Sequence, residues 1–198
     1  MKTTIALLVY GTVAVAATTF IGEGTYYGGT SSGNCAIRHP IPGMYDGKIP
    51  MALNGPQYDN SERCGACVRG KGTGKGSGNS PITGVFEGYI MDKCPECKHG
   101  DLDFGMGGDG RWKIEWEFVK CKGGKPTFLF EGSNRHYIKV QPRGISTPAK
   151  KVKIHGIKGT RTQDNFFEVH NGAGFPHEFK IKVKTRDGKK FKSKVSLP

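Results

Sequence analysis

The 198-residue chain has no apolar run approaching the ~18 residues that a membrane-spanning helix requires, so a helical membrane protein is excluded. It has no sustained helical period either. Its apolar residues, 35% of the chain, fall in short alternating runs among 31 glycines and 11 prolines, which excludes a helical bundle or a doubly wound α/β sheet. No cysteine follows Cys121. Acidic residues become scarce at the same place, with 12 Asp and Glu against 13 Lys and Arg up to Gly123, then 5 against 17 from Gly124 onward. The formal charge of +13 therefore divides into +1 and +12. What remains is an all-β, loop-rich molecule with enough chain for two domains, divided at Lys122-Gly-Gly-Lys-Pro126. A linker this short keeps its two halves close neighbours.

The first segment reads as an export leader. Met1-Lys2 supplies a positive start, Ile5 to Val15 a short apolar core, and Ala14-Val15-Ala16 the small residues of a cleavage site, with cleavage between Ala16 and Phe20. A secreted, extracellular location follows. It decides how the six cysteines are read, at positions 35, 64, 67, 94, 97 and 121. Cys64-Gly-Ala-Cys67 and Cys94-Pro-Glu-Cys97 have the spacing of a four-thiolate zinc ribbon. Behind a leader, however, an even count favours three disulfides, and no metal or cofactor is expected. No βαβ unit surrounds either pair to support a redox role.

The expected domains are a barrel over residues 20–122 and a β-sandwich over residues 126–198, after a leader over residues 1–19. In the first, Val85 to Met91 and Ile114 to Val119 read as strands, Trp112 and Trp116 as core, and the glycine-rich Arg69 to Ser80 as a flexible hairpin tip. That tip lacks the Gly-Lys-Ser/Thr ending and the following helix of a phosphate-binding loop. In the second, Phe179, Ile181 and Val183 fall on one face of a strand and Lys180, Lys182, Lys184 and Arg186 on the other. Val152 and Ile154 oppose Lys151, Lys153 and His155 in the same way. Asp187-Gly188 is a hairpin turn.

Met91 to Gly105 is the densest chemical cluster, with Asp92, Glu96, Asp101 and Asp103 inside 12 residues. Such a cluster serves calcium binding, acid–base chemistry or a solvated turn, and the spacing of a helix–loop–helix calcium site is absent. At these residues the chain resembles a family. Gly24-Thr-Tyr-Tyr-Gly28, Asn34-Cys-Ala-Ile37, Met51-Ala-Leu-Asn54, Arg63-Cys-Gly-Ala-Cys67, Met91-Asp-Lys-Cys94 and Asp101-Leu-Asp-Phe-Gly105 occur in the order seen in expansins and expansin-like proteins. Glu131 to Tyr137 resembles the opening of their carbohydrate-binding domain. The similarity spans essentially the whole chain after the leader.

The resemblance implies a six-stranded double-psi β-barrel related to family-45 endoglucanases, then an immunoglobulin-like sandwich, in a monomer that loosens plant cell walls without detectable hydrolysis. It implies that Asp103 matches the general acid of the endoglucanases, that Asp92 matches a second acidic residue beside it, and that Thr25 and Tyr26 match groove residues. It also implies disulfides Cys35–Cys64, Cys67–Cys121 and Cys94–Cys97. Inverting hydrolysis needs a base that activates water opposite the acid, at ~6.5 to 9.5 Å. The corresponding position here is Gly28, which has no side chain. Asp103 would then be a proton donor that hydrogen-bonds the glycan.

Departures from the family pattern concern its edges. Asp101-Leu-Asp103 stands in place of His-Phe-Asp, and Cys94 in place of a tyrosine common in bacterial members. The paired tryptophans of the second domain become His136 and Tyr137, and the third aromatic position falls near Asp164, followed by Phe166 and Phe167. These four aromatic residues, Tyr137, His136, Phe166 and Phe167, are the candidates for stacking on a glucan, although strand alternation turns one of each adjacent pair toward the core. The expected partners are cellulose, hemicellulose and, through the lysine-rich face, acidic polymers such as pectin; nucleic acid and membrane are not expected. Competing readings are a lytic transglycosylase or endoglucanase-like enzyme using Asp103 as acid, and a non-enzymatic defence or inhibitor barrel of the barwin and kiwellin kind.

Overall fold

The computed structural model describes residues 18–29, 31–38 and 40–197; residues 1–17 of the expected leader lie outside them. Six strands close a barrel: β1 (Phe20–Tyr26), β2 (Ile49–Asn54), β3 (Cys67–Ser77), β4 (Thr83–Cys94), β5 (Leu102–Phe104) and β6 (Arg111–Val119), in the order β1-β5-β2-β4-β3-β6. β1–β5 and β2–β4 run parallel, and the other four pairings are antiparallel. Closure leaves no exposed edge. The interior is filled by Met51, Leu53, Ile90, Leu102, Phe104, Ile114 and both tryptophans, all buried.

Arg69 to Ser80 corrects one expectation. Through Ser77 this segment belongs to β3, an 11-residue strand paired on both sides. Its glycines make room rather than flexibility: a Cβ on Gly70 would sit 2.3 Å from the Phe86 ring, and one on Gly72 would sit 2.3 Å from the Ile82 carbonyl oxygen. Only a side chain of one hydrogen lets these backbones approach.

Two four-stranded sheets follow. One contains β7 (Thr127–Phe130), β8 (Tyr137–Arg143), β11 (Thr160–Arg161) and β12 (Phe167–His170), in the order β11-β12-β8-β7; the other contains β9 (Ala149–Ile154), β10 (Ile157–Lys158), β13 (Glu178–Thr185) and β14 (Lys190–Ser196), in the order β10-β9-β13-β14. Period-two alternation sends Ile138, Val140, Phe167 and Val169 from the first sheet, and Val152, Ile154, Phe179, Ile181 and Val183 from the second, into one shared core.

The barrel and the sheets meet through hydrogen bonds rather than a broad apolar seam. Arg143, nearly buried, donates to the carbonyl oxygens of Ala36, Arg38 and Pro40 and to Gln141 Oε1, while Gln141 donates to the Cys35 carbonyl. Arg186 pairs with Asp59 and Glu62, and Ser61 donates to the Thr162 carbonyl. The barrel loop that receives Arg143 begins at the Cys35–Cys64 disulfide; Cys67–Cys121 and Cys94–Cys97 are the other two.

Candidate functional site

Strand register assembles the site. Thr25 on β1 pairs with Asp103 on β5, Asp103 pairs with Ala52 on β2, and Ala52 pairs with Asp92 on β4. Residues directly opposite one another share a face, so these four form a row across four neighbouring strands on the outside of the barrel. At ~4.8 Å per strand, Asp103 and Asp92 stand ~10 Å apart at their Cα atoms.

Asp103 is 8% exposed, and its Oδ1 accepts a 2.6 Å hydrogen bond from the Thr25 hydroxyl. Burial raises its pKa above the usual carboxylate value; the Thr25 bond and Arg111 oppose that rise, while Glu96 and Asp92 add to it. The Cys94–Cys97 disulfide packs with Ala52 and Tyr27 beside Asp103, and its sulfurs and an Asp103 carboxylate oxygen all lie within 4.8 Å of one another. Both sulfurs are bonded to each other, so they are no thiolate ligands. Asp92 Oδ1 accepts from the backbone N–H of Asn34 at 2.7 Å and of Lys93 at 2.8 Å. Asn34 in turn donates to Tyr58 and to the Gln163 carbonyl, joining the row to the second β unit.

Strand parity separates residues that the sequence placed together. Thr25 lies in the row, whereas Tyr26 points the opposite way, packs on Phe104 at 6.0 Å and donates to the Ser80 carbonyl. Its neighbour Tyr27 is the tyrosine on the row's side, with its hydroxyl buried and without a hydrogen-bond partner among the described residues and its pKa raised by burial. Gly28 adopts a φ of +74° with open space around it, so no side chain at that position faces the row.

The second-unit candidates also divide. Phe166 and Phe167, 0% and 2% exposed, are both core-like and neither can stack on a polymer, which corrects the expectation that one of them faces out. Phe167 points between the sheets, as alternation requires; Phe166 points the other way, but it is capped by Lys139, whose Nζ lies 4.6 Å from its ring centre, and belongs to the turn that Ser61 and Asn34 grip. His136 is exposed, and Tyr137 is half-buried. Tyr137 donates to Glu168 and stands 4.8 Å from the His170 ring, its cross-strand partner. Burial and Glu168 push the Tyr137 pKa up to about 12. His170 was not legible as a site residue, because only the β8–β12 pairing brings it beside Tyr137.

A closed six-stranded barrel followed by a two-sheet unit is the architecture of expansins, and in fold the chain is expansin-like. A mutant Clavibacter michiganensis expansin in complex with cellohexaose superposes with a TM-score of 0.69 at 20% identity, covering 91% of this chain and 92% of that one. The unliganded Clavibacter michiganensis expansin gives 0.66 at 21% identity over the same shares. No protein-family model and no curated protein sequence matches the chain.

Proposed function

We propose that this is a secreted wall-loosening protein that holds a glucan chain along the Thr25–Asp103–Ala52–Asp92 row and disrupts its packing without hydrolysing it. The row is the observation that carries the reading, in a fold whose Clavibacter relative was solved with a cello-oligosaccharide. Asp103, sheltered by the disulfide and oriented by Thr25, retains its proton to a higher pH than an exposed carboxyl and donates it in a hydrogen bond to a glycan oxygen. Gly28 offers no base, and Oδ1 of Asp92 is already engaged by two backbone N–H groups. Tyr137 and His170 form a small aromatic platform beyond Asn34, and the exposed His136 flanks it. Three disulfides suit an exported protein.

One observation favours a second reading. Asp92 is a second carboxylate on the same face as Asp103, two strands away, and inverting hydrolysis needs an acid–base pair of this kind. Extension of heat-inactivated plant wall under load, with soluble sugar assayed in the same sample, separates the two. Loosening with no sugar release, abolished in Asp103→Asn, supports the first reading. Reducing ends accumulating at rates typical of glycosidases, and lost in Asp92→Asn, would replace it with the second; anhydro-sugar ends would indicate a lytic enzyme instead.

A further inference from the structure

The two Cys-x-x-Cys sequences end differently in the fold. Cys64 and Cys67 bond elsewhere, to Cys35 and Cys121, whereas Cys94 and Cys97 bond to each other across Pro95 and Glu96. A self-paired Cys-x-x-Cys is the arrangement that dithiol redox chemistry uses. No βαβ unit surrounds it, but the barrel sets the carboxyl of Asp103 against it, with one carboxylate oxygen and both sulfurs inside 4.8 Å of one another. Among the described residues that carboxyl accepts its hydrogen bond from Thr25, although a carboxylate has room for about four.

The ring can open without unfolding the barrel. β4 ends at Cys94, and residues 95–97 belong to no strand; Pro95 has no N–H, and neither Glu96 nor Cys97 donates its own to a backbone carbonyl among the described residues. Pro95 and Glu96 are exposed, so the turn that covers the buried sulfurs is held by little besides the bond it contains. That bond closes a sequence separation of 3, against 29 and 54 for the other two disulfides, so its loss releases the least chain entropy to the unfolded state.

We propose that Cys94–Cys97 is a reversible thiol–disulfide switch beside the Asp103 row, which a soluble thiol opens and which, once open, turns Asp103 from a hydrogen-bond donor into an acceptor. A thiolate of the reductant attacks one sulfur to form a mixed disulfide and expels the other cysteine; a second thiolate then attacks the reductant's sulfur and releases the first. Two electrons reduce the pair, the reductant leaves as its own disulfide, and the two protons its thiols gave up are matched by the two that the cysteines take from solvent. A disulfide has no proton to donate. Two thiols do, and they part from bonding contact beside a carboxyl with unused lone pairs. Hydrogen bonds from S–H favour the charged form of Asp103 and oppose the burial that raises its pKa. Loosening should then be strongest in the oxidised protein. That last step rests on the proposed function of the row; the switch at Asp103 does not.

Treatment of the full chain with increasing dithiothreitol, followed by alkylation with iodoacetamide and peptide mass mapping, orders the three bonds. Cys94 and Cys97 should be alkylated first, with the circular-dichroism melt retained. In the selectively reduced, unalkylated protein kept free of oxygen, the Asp103 titration followed by carbon-13 NMR should move down, and it should return on reoxidation with oxidised glutathione. Cys94→Ser/Cys97→Ser should give one titration under both conditions; if that variant does not fold, wild type alkylated at both positions serves as the unresponsive control. Opening of either other disulfide first, unfolding that accompanies release of Cys94 and Cys97, or an Asp103 titration that stays in place or rises on reduction overturns the proposal. Extension of plant wall under load should fall on reduction, with the same control correcting for any action of the thiol on the wall. Constant extension while the titration moves leaves the switch standing and counts against the role of Asp103 in loosening alone.

Discussion

At the residue scale the decisive group is Asp103, and its raised pKa is also a statement about stability. A folded-state value above the unfolded one means that the unfolded chain releases its proton first as pH rises. Whatever stability the protonated group confers is complete below the unfolded value of 3.8 and is lost as pH climbs through the folded value. Asp103→Asn, which cannot ionise, should therefore melt no lower than wild type at neutral pH, and its relative gain should grow from about pH 3 upward before levelling off; paired melts across pH measure this. Thr25→Val removes a hydrogen bond that favours the charged form, so the Asp103 titration followed by carbon-13 NMR should move further up. A shift toward ordinary carboxylate values would contradict the role given to Thr25. The family resemblance brought out Asp103, Thr25 and Asp92 as candidates, and strand register places the three in one row. The sequence concealed Tyr27, because choosing between adjacent tyrosines needs the strand's phase relative to the barrel, and that phase is set by Gly24 lying against Phe104 and Ile114.

At the scale of elements, two disulfides illustrate different uses of the same bond. Cys67–Cys121 closes a separation of 54 residues, and Cys94–Cys97 closes one of 3. Chain-entropy scaling assigns the long closure about 4 kcal/mol and the short one about 2 kcal/mol. Cys94→Ser/Cys97→Ser should thus lower the denaturant midpoint less than Cys67→Ser/Cys121→Ser. It should also admit water beneath Asp103 and bring its titration down, a readout that loss of stability alone would not move. Strand content was legible from alternation, and the hairpin at Asp187-Gly188 from its turn residues; Gly188 has a φ of +87°. The glycine-rich segment misled because open-chain flexibility and close packing draw on the same residue, and only the partners Phe86 and Ile82 tell them apart. Phe166 misled for a related reason. Period two assigns a side chain to a face, but it says nothing about whether another part of the chain covers that face.

At the scale of the whole molecule, the junction between barrel and sandwich is a set of hydrogen bonds and ion pairs, and Arg143 makes three of them, more than any other side chain. Its guanidinium donates to the carbonyls of residues 36, 38 and 40, and the bond to Ala36 is buried. Arg143→Met keeps much of the side-chain volume but removes every one of those bonds, at a cost of about 2 to 4 kcal/mol. Both tryptophans lie in the barrel, so their fluorescence reports that unit alone, whereas far-ultraviolet circular dichroism reports both. In urea the two signals should coincide for wild type, because a junction of oriented hydrogen bonds couples the units into one transition. For Arg143→Met they should separate, with one transition preceding the other. If they remain superimposed while the midpoint falls, the coupling resides instead in the remaining junction contacts, among them the Arg186–Asp59–Glu62 cluster and the Ser61–Thr162 and Asn34–Gln163 bonds. The outcome bears on function, since a chain lying on both the Asp103 row and the Tyr137–His170 platform must cross this junction at Asn34. Loosening activity that survives uncoupling would mean that the barrel row works alone, whereas activity that falls in step with it would mean that the two surfaces act on one polymer as a single rigid body.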